Sequence, residues 1–305
     1  MSKDGAKKQV YSRLCSLFPN DAPDLMRLCI RNDFPLGYNH PDLALELVDA
    51  VIPEKALADL RVGYVFISAY YFLLDSVADK HLENDSDLVY LSHLLSGAIT
   101  LFQESVFLCC PSRLQTVTRL LCSHISENAA AMTLEANLQT DAFNDDHDKD
   151  RASIIGRSNS ALLLYHILYV ITDKEPDPQI IACVSDLIYY VQLGDDLGDW
   201  EKDFIAKRWT SLLRTCFKRK GRILSVEELN REIFVTGVYE EKLSIIIHGL
   251  DSVANKLESR KDISSKAFRD WLTSLRNNFK KGLTELVATK ISIQDKTFFE
   301  KDVCV

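Results

Sequence analysis

The chain has 305 residues, of which 47 % are hydrophobic and 26 % charged, and its formal net charge is -8. That composition is ordinary for a soluble globular protein. The acidic balance and the lack of a large basic block exclude a phosphate-backbone partner such as nucleic acid, so any anion must be held locally, against the overall field. Glycine (11) and proline (8) are scarce, which predicts long helices and few tight turns. The eight cysteines show no CxxC pair or zinc-like spacing, and Cys109 and Cys110 are adjacent. With no signal-peptide pattern, a cytoplasmic chain with reduced thiols is expected. The longest apolar run, Ala161 to Thr172, is too short to span a bilayer.

Residues 1–40 read as an irregular, polar N-terminal segment with a short helix over Ala6–Phe18, punctuated by Pro19, Pro23 and Pro35. His40-Pro41-Asp42 looks like a helix start, with Pro near the first turn, leading into Leu43–Ile52 until Pro53 stops it. A helical pattern then runs from Glu54 to about Leu82. Asn84-Asp85-Ser86 caps a helix over Asp87–Leu108, and Pro111-Ser112 opens another reaching about Leu138. Asp141–Asp150 is an acidic loop. Arg151–Ile171 is helical and apolar, Asp173–Pro178 a turn, and Gln179–Ile205 the next helix. A basic stretch follows (Lys207, Arg208, Arg214, Lys218, Arg219, Lys220, Arg222). Helices over Val226–Phe234, Tyr239–Arg260 and Ser265–Ile291 precede a polar tail at 292–305. No repeat, linker or strand alternation appears; the reading is one all-α domain over 1–305, a helical bundle.

Within Gln179–Ile205 lies Gln192-Leu193-Gly194-Asp195-Asp196-Leu197-Gly198-Asp199-Trp200-Glu201-Lys202-Asp203. On a helix, residues four apart advance by about 40°, so Asp195, Asp199 and Asp203 share an arc roughly 80° wide, with Lys202 beside Asp195. Carboxylates stacked at this spacing repel unless a cation lies between them. Oxygen-only ligands select hard cations such as magnesium, which usually share a bound phosphate. A lysine among the acids makes sense if that ligand is anionic. The alternative is a solvated acidic face. A second pair, Asp75 and Asp79, follows the apolar run Tyr70-Tyr71-Phe72-Leu73-Leu74. Tyr64, Ser68, Tyr71 and Phe72 fall within about 60° of Asp75 by the same arithmetic, as an aromatic groove with acids at its mouth.

Loss of diphosphate from an allylic carbon needs both features. Metal and cationic side chains neutralise the leaving group. An apolar, aromatic cavity protects and stabilises the carbocation left behind.

Asp75-Ser76-Val77-Ala78-Asp79 resembles the first aspartate-rich motif, DDxxD, of class I isoprenoid synthases, with serine at the second aspartate. Asp195 to Asp203 resembles the second motif in two forms: the terpene-cyclase (N/D)DxxSxxxE, and the DxxxD of squalene and phytoene synthases. The resemblance covers about residues 55–215. It implies the helical isoprenoid-synthase fold and a prenyl diphosphate substrate. It also implies magnesium (with manganese as an alternative) held by Asp75, Asp79, Asp195, Asp199 and Asp203. Lys202 matches the lysine that precedes the last ligand and touches diphosphate. Gln192 and Arg208 join the substrate-binding set with Ser68, Tyr64, Tyr71 and Phe72. Dimers are common in such proteins, and a greasy substrate allows peripheral membrane contact.

Arg157, one helix ahead of the second motif, is the candidate diphosphate-sensing arginine, since a guanidinium grips phosphate bidentately; its alternative is a salt bridge to the acidic loop. Arg151 is the fallback. Tyr165, Tyr169, Tyr189 and Tyr190 line the cavity or pack in the core. His147 with Asp145, Asp146 and Asp148 is either a separate metal site or a solvated loop. No Gly-Lys-Arg cluster for a second diphosphate appears near the N-terminus, nor a Tyr-rich signature ahead of the second motif, nor an Arg-Tyr pair near the end. The expected activity is therefore a terpene synthase that ionises and cyclises a farnesyl- or geranylgeranyl-type diphosphate, with head-to-head condensation of two prenyl diphosphates as the alternative.

Overall fold

A computed structural model describes residues 3–30, 34–78, 85–144, 146–260 and 265–302. Among these there is no strand, and they run through fourteen α-helices. It divides into two compact units, each described by itself: Met1–Thr133 with Ser153–Ser185 and Lys261–Phe268, and Leu134–Ala152 with Asp186–Arg260 and Arg269–Val305.

The first unit opens with α1 (Lys3–Leu17), α2 (Ala22–Cys29) and α3 (Phe34–Leu47). The expected irregular segment over 1–40 is thus largely helical. Pro19 lies in the turn after α1, and Pro23 occupies the first turn of α2, where the missing N–H has no helical partner to lose. Pro41, expected to start a helix, is instead inside α3, which gives up one hydrogen bond and continues.

Pro53 precedes α4 (Glu54–Ala78), and a 3-10 turn over Asp85–Tyr90 leads into α5 (Leu91–Cys109). The two helices pack at two reciprocal close approaches. A Cβ on Gly63 would lie 3.0 Å from the Phe102 ring, and one on Gly97 2.8 Å from the Phe66 ring. Phe66, Ile67, Leu94, Leu101 and Phe102 are fully buried there, each contributing roughly 1.5–3 kcal/mol of transfer free energy. The window Glu54–Val77 is long and apolar enough to cross a membrane by composition, but 67 % of it is buried inside the protein.

α6 (Leu114–Leu138) follows. The acidic loop is partly helical, because α7 (His147–Arg157) starts inside it and Asp146 accepts from the Lys149 N–H at 3.1 Å, satisfying a first-turn donor. The expected single helix over Arg151–Ile171 is two: α7 and α8 (Ser160–Ile171) meet at a 62° bend.

The His40 ring stacks on Tyr64 with centroids 5.0 Å apart, and its edge meets Tyr165 at 6.1 Å. The His40 Nε2 and Tyr165 hydroxyl are buried with no hydrogen-bond partner. Burial lowers the His40 pKa from 6.5 to about 4. Above pH 6.5 the ring is neutral in both folded and unfolded chains. Below it the unfolded chain takes up a proton that the folded chain refuses, so stability falls as pH drops from 6.5 toward 4. The variant His40→Phe keeps the stacking and lacks that titration. Its urea midpoint should gain on wild type between pH 7 and pH 5; an unchanged difference would contradict the burial of His40 as a neutral ring.

α9 (Pro178–Gly198) starts under Asp177, which accepts the N–H groups of Gln179 and Ile180 at 2.8 and 3.3 Å. The continuous helix expected to Ile205 is interrupted: Asp199 is the N-cap of a short α10 (Trp200–Ile205). In the second unit α11 (Ser211–Lys220) occupies what the sequence showed only as a basic stretch. Lys218, Arg219 and Lys220 fill its last turn, and Gly221 closes it at φ 67°, cations at a C-terminus favouring the helix dipole. Ser225 and Glu228 form a capping box on α12 (Val226–Asn230), followed by α13 (Val238–Glu258) and α14 (Lys266–Asp302). α14 thus runs on through most of the expected polar tail at 292–305. Leu213, Phe217, Ile233, Ile246 and Leu250 form the buried core of this unit.

Candidate active site

In the first unit the acidic end of α4 meets the α7–α8 bend. Arg157 Nη1 donates to Asp75 Oδ1 at 3.0 Å, with the arginine side chain 11 % exposed and the aspartate 42 % exposed. A fixed, mostly covered guanidinium therefore neutralises a carboxylate that faces solvent. Arg157 is thus bonded to the first motif, while the fallback Arg151 lies in the second unit, paired with Asp186 and 4.7 Å over the Tyr189 ring. Asp79 lies outside the described residues, as does Asp145.

Down the same face of α4, Tyr71 is buried with an unpartnered hydroxyl, and burial pushes that hydroxyl's pKa up. Tyr64 is buried, its pKa pushed up to about 12 by burial against the opposing hydrogen bonds of Ser160 and Ser68. Ser68 is half-buried. Phe72, expected among the groove residues, is 44 % exposed. Tyr165 and Tyr169 are buried.

In the second unit α9 delivers the other motif. A Cβ on Gly194 would lie 2.5 Å from the Phe279 ring, so only glycine lets α9 lie this close to α14 immediately before Asp195. Asp195 and Asp199 are exposed. Gln192 Nε2 donates to Asp195 Oδ2 at 3.3 Å, and Lys202 Nζ donates to Asp199 Oδ1 at 2.6 Å. Hydrogen bonding to Asp199 raises the Lys202 pKa. The expectation set Lys202 beside Asp195; the break at Asp199 puts it on Asp199 instead. That break also separates the third acid from the other two. Asp203 is buried, 3.6 Å from Arg208, which also lies 3.7 Å from Glu135. Glu135 was not singled out from the sequence, where one acid in a mixed helix carries no signal.

Among the described residues, no three His, Cys, Asp or Glu side chains converge on one point. Magnesium is commonly held through one or two carboxylates plus substrate phosphates rather than by an all-protein cage. Exposed carboxylates such as Asp75, Asp195 and Asp199, each beside a donor or cation, fit that mode of binding.

No family model and no curated protein matches the sequence. Solved structures match its fold. A geranylgeranyl pyrophosphate synthetase from the archaeon Geoglobus acetivorans aligns with TM-score 0.67 and 15 % identity, over 91 % of this chain and 96 % of its own. The geranylgeranyl pyrophosphate synthase of Corynebacterium glutamicum, complexed with isoprenyl diphosphate and magnesium, aligns with TM-score 0.64 and 16 % identity, over 92 % and 99 %. A polyprenyl synthase from Caulobacter crescentus, complexed with calcium and isoprenyl diphosphate, aligns with TM-score 0.58 and 15 % identity, over 88 % and 97 %. The fold is the all-helical fold of the class I isoprenoid synthases.

Proposed function

We propose that the chain is a divalent-metal-dependent enzyme that ionises a prenyl diphosphate of farnesyl or geranylgeranyl type, and that the resulting carbocation reacts within its own chain to give a cyclised product. The observation that carries the reading is the Arg157–Asp75 pair, 3.0 Å apart at the solvent-facing end of α4, above a helix face bearing Tyr71, Ser68 and Tyr64. Bound there, magnesium would neutralise the departing diphosphate, with Asp75 as its carboxylate in the first unit; Asp195 and Asp199 offer the same chemistry in the second. Arg157 would supply fixed positive charge to the diphosphate oxygens, and Lys202 gives Asp199 the same kind of cationic neighbour. The aromatic face of α4 gives the prenyl chain an apolar wall.

One substrate rather than two is favoured by the sequence, which has no Gly-Lys-Arg cluster near the N-terminus to hold a second diphosphate.

A second reading is condensation of two prenyl diphosphates. It is favoured by the solved structures of this fold, which are geranylgeranyl and polyprenyl synthases. Incubation of the protein with one labelled prenyl diphosphate and magnesium, followed by mass spectrometry, separates the two. A cyclic hydrocarbon or alcohol is expected. A longer chain, formed alone or on adding isopentenyl diphosphate, supports condensation. Binding without diphosphate release would leave a non-catalytic binder.

A further inference from the structure

We infer that Asn128, on α6, is a positioning residue that fixes Arg157 at the α7–α8 bend, and so acts on diphosphate binding through it; the inference rests on the reading of Arg157 given above. Where α7 stops, the carbonyls of Gly156 and Arg157 lose the helical N–H partners that a continuous helix would supply. Asn128, 3 % exposed, replaces both: its Nδ2 donates to the Arg157 carbonyl at 2.9 Å and to the Gly156 carbonyl at 3.3 Å. An asparagine amide has two N–H bonds on one nitrogen and can serve two carbonyls; leucine has none, serine one.

The contact depends on close approach. A Cβ on Gly156 would lie 2.4 Å from the Ala131 Cβ, so glycine here lets α7 press against α6 within reach of Asn128. The next residues are tied the same way, Asn159 Nδ2 donating to the His124 carbonyl at 2.8 Å. Arg157 thus projects toward Asp75 from a backbone held at its own carbonyl. The bend, 62° between the two helix axes, is fastened to α6 at both ends.

Two readouts test this on the full chain. The first is the Arg157 Nε–Hε resonance, assigned by its loss in Arg157→Gln. Replacing Asp75 by Asn should shift it in the wild-type background and leave it unmoved in the Asn128→Leu background. A retained shift in Asn128→Leu overturns the proposal whatever the substrate. The second is titration with inorganic pyrophosphate in magnesium. Asn128→Leu should weaken binding about tenfold, and the double variant with Arg157→Gln should bind no more weakly than Arg157→Gln alone. Additive losses would mean Asn128 acts only on general stability, and would overturn the proposal. If the resonance behaves as expected while Arg157→Gln binds pyrophosphate as wild type does, the positioning of Arg157 stands and its diphosphate role is what fails. Should Asn128→Leu lose helical circular dichroism, Asn128→Ala carries the same comparisons, since it too lacks the donor and adds no bulk.

Discussion

Replacing Asp199 by asparagine should cut turnover about 100- to 1000-fold while leaving helix content and melting temperature nearly unchanged. Removing one preorganised group that stabilises charge in the transition state costs roughly 3–4 kcal/mol. The folded state loses little, because the Asp199–Lys202 pair is exposed, at 55 % and 76 % of the two side chains, and exposed pairs contribute about 0–1 kcal/mol. Steady-state diphosphate release alongside circular dichroism checks both halves. Turnover near wild type in low magnesium would remove Asp199 from the reaction.

The largest expected loss of stability comes from Arg214→Met in the second unit. Arg214 and Asp150 form a buried ion pair, at 4 % and 8 % side-chain exposure, and Arg214 also donates to the Trp209 carbonyl. Removing the cation leaves a buried carboxylate without its partner, which costs about 3–5 kcal/mol. At about 2–4 °C per kcal/mol, the melting temperature should fall by on the order of 10 °C. Burial already holds the Asp150 pKa above its ordinary value, with Arg214 pulling the other way. Without Arg214 it rises further, so the folded variant takes up a proton as pH falls before the unfolded chain does. Its deficit should therefore shrink between pH 7.5 and pH 5. A deficit constant across that range would show that the lost stability does not come from the Asp150 charge.

Much of the all-α fold was legible because scarce glycine and proline leave helices as the default, and Pro53 and Pro111 mark real boundaries. The spacing of Asp195 and Asp199 also carried over: both are exposed on consecutive turns, with the Asp199 N–H donating to the Asp195 carbonyl at 3.1 Å. The arithmetic failed at Asp203, because it assumed an unbroken helix. One interruption after Gly198 sends that acid into the protein and onto Arg208. The α7–α8 bend was equally hidden. Gly156-Arg157-Ser158-Asn159 contains no proline, and the carbonyls where α7 stops are taken up by a tertiary bond from Asn128, 28 residues away from Gly156. α11 was missed because its Lys218-Arg219-Lys220 turn reads as solvated charge, whereas Leu212, Leu213, Cys216 and Phe217 on its other face are buried. Local pattern names elements well; the partner that bends or caps an element from elsewhere in the chain leaves no trace in it.

Continuous measurement of pyrophosphate release from farnesyl and geranylgeranyl diphosphates bears most directly on the proposed chemistry. Release in magnesium, abolished by EDTA, restored by added magnesium and sharply reduced in Asp75→Asn is the expected result. Release no faster than in buffer with either substrate, or release indifferent to EDTA, would contradict it.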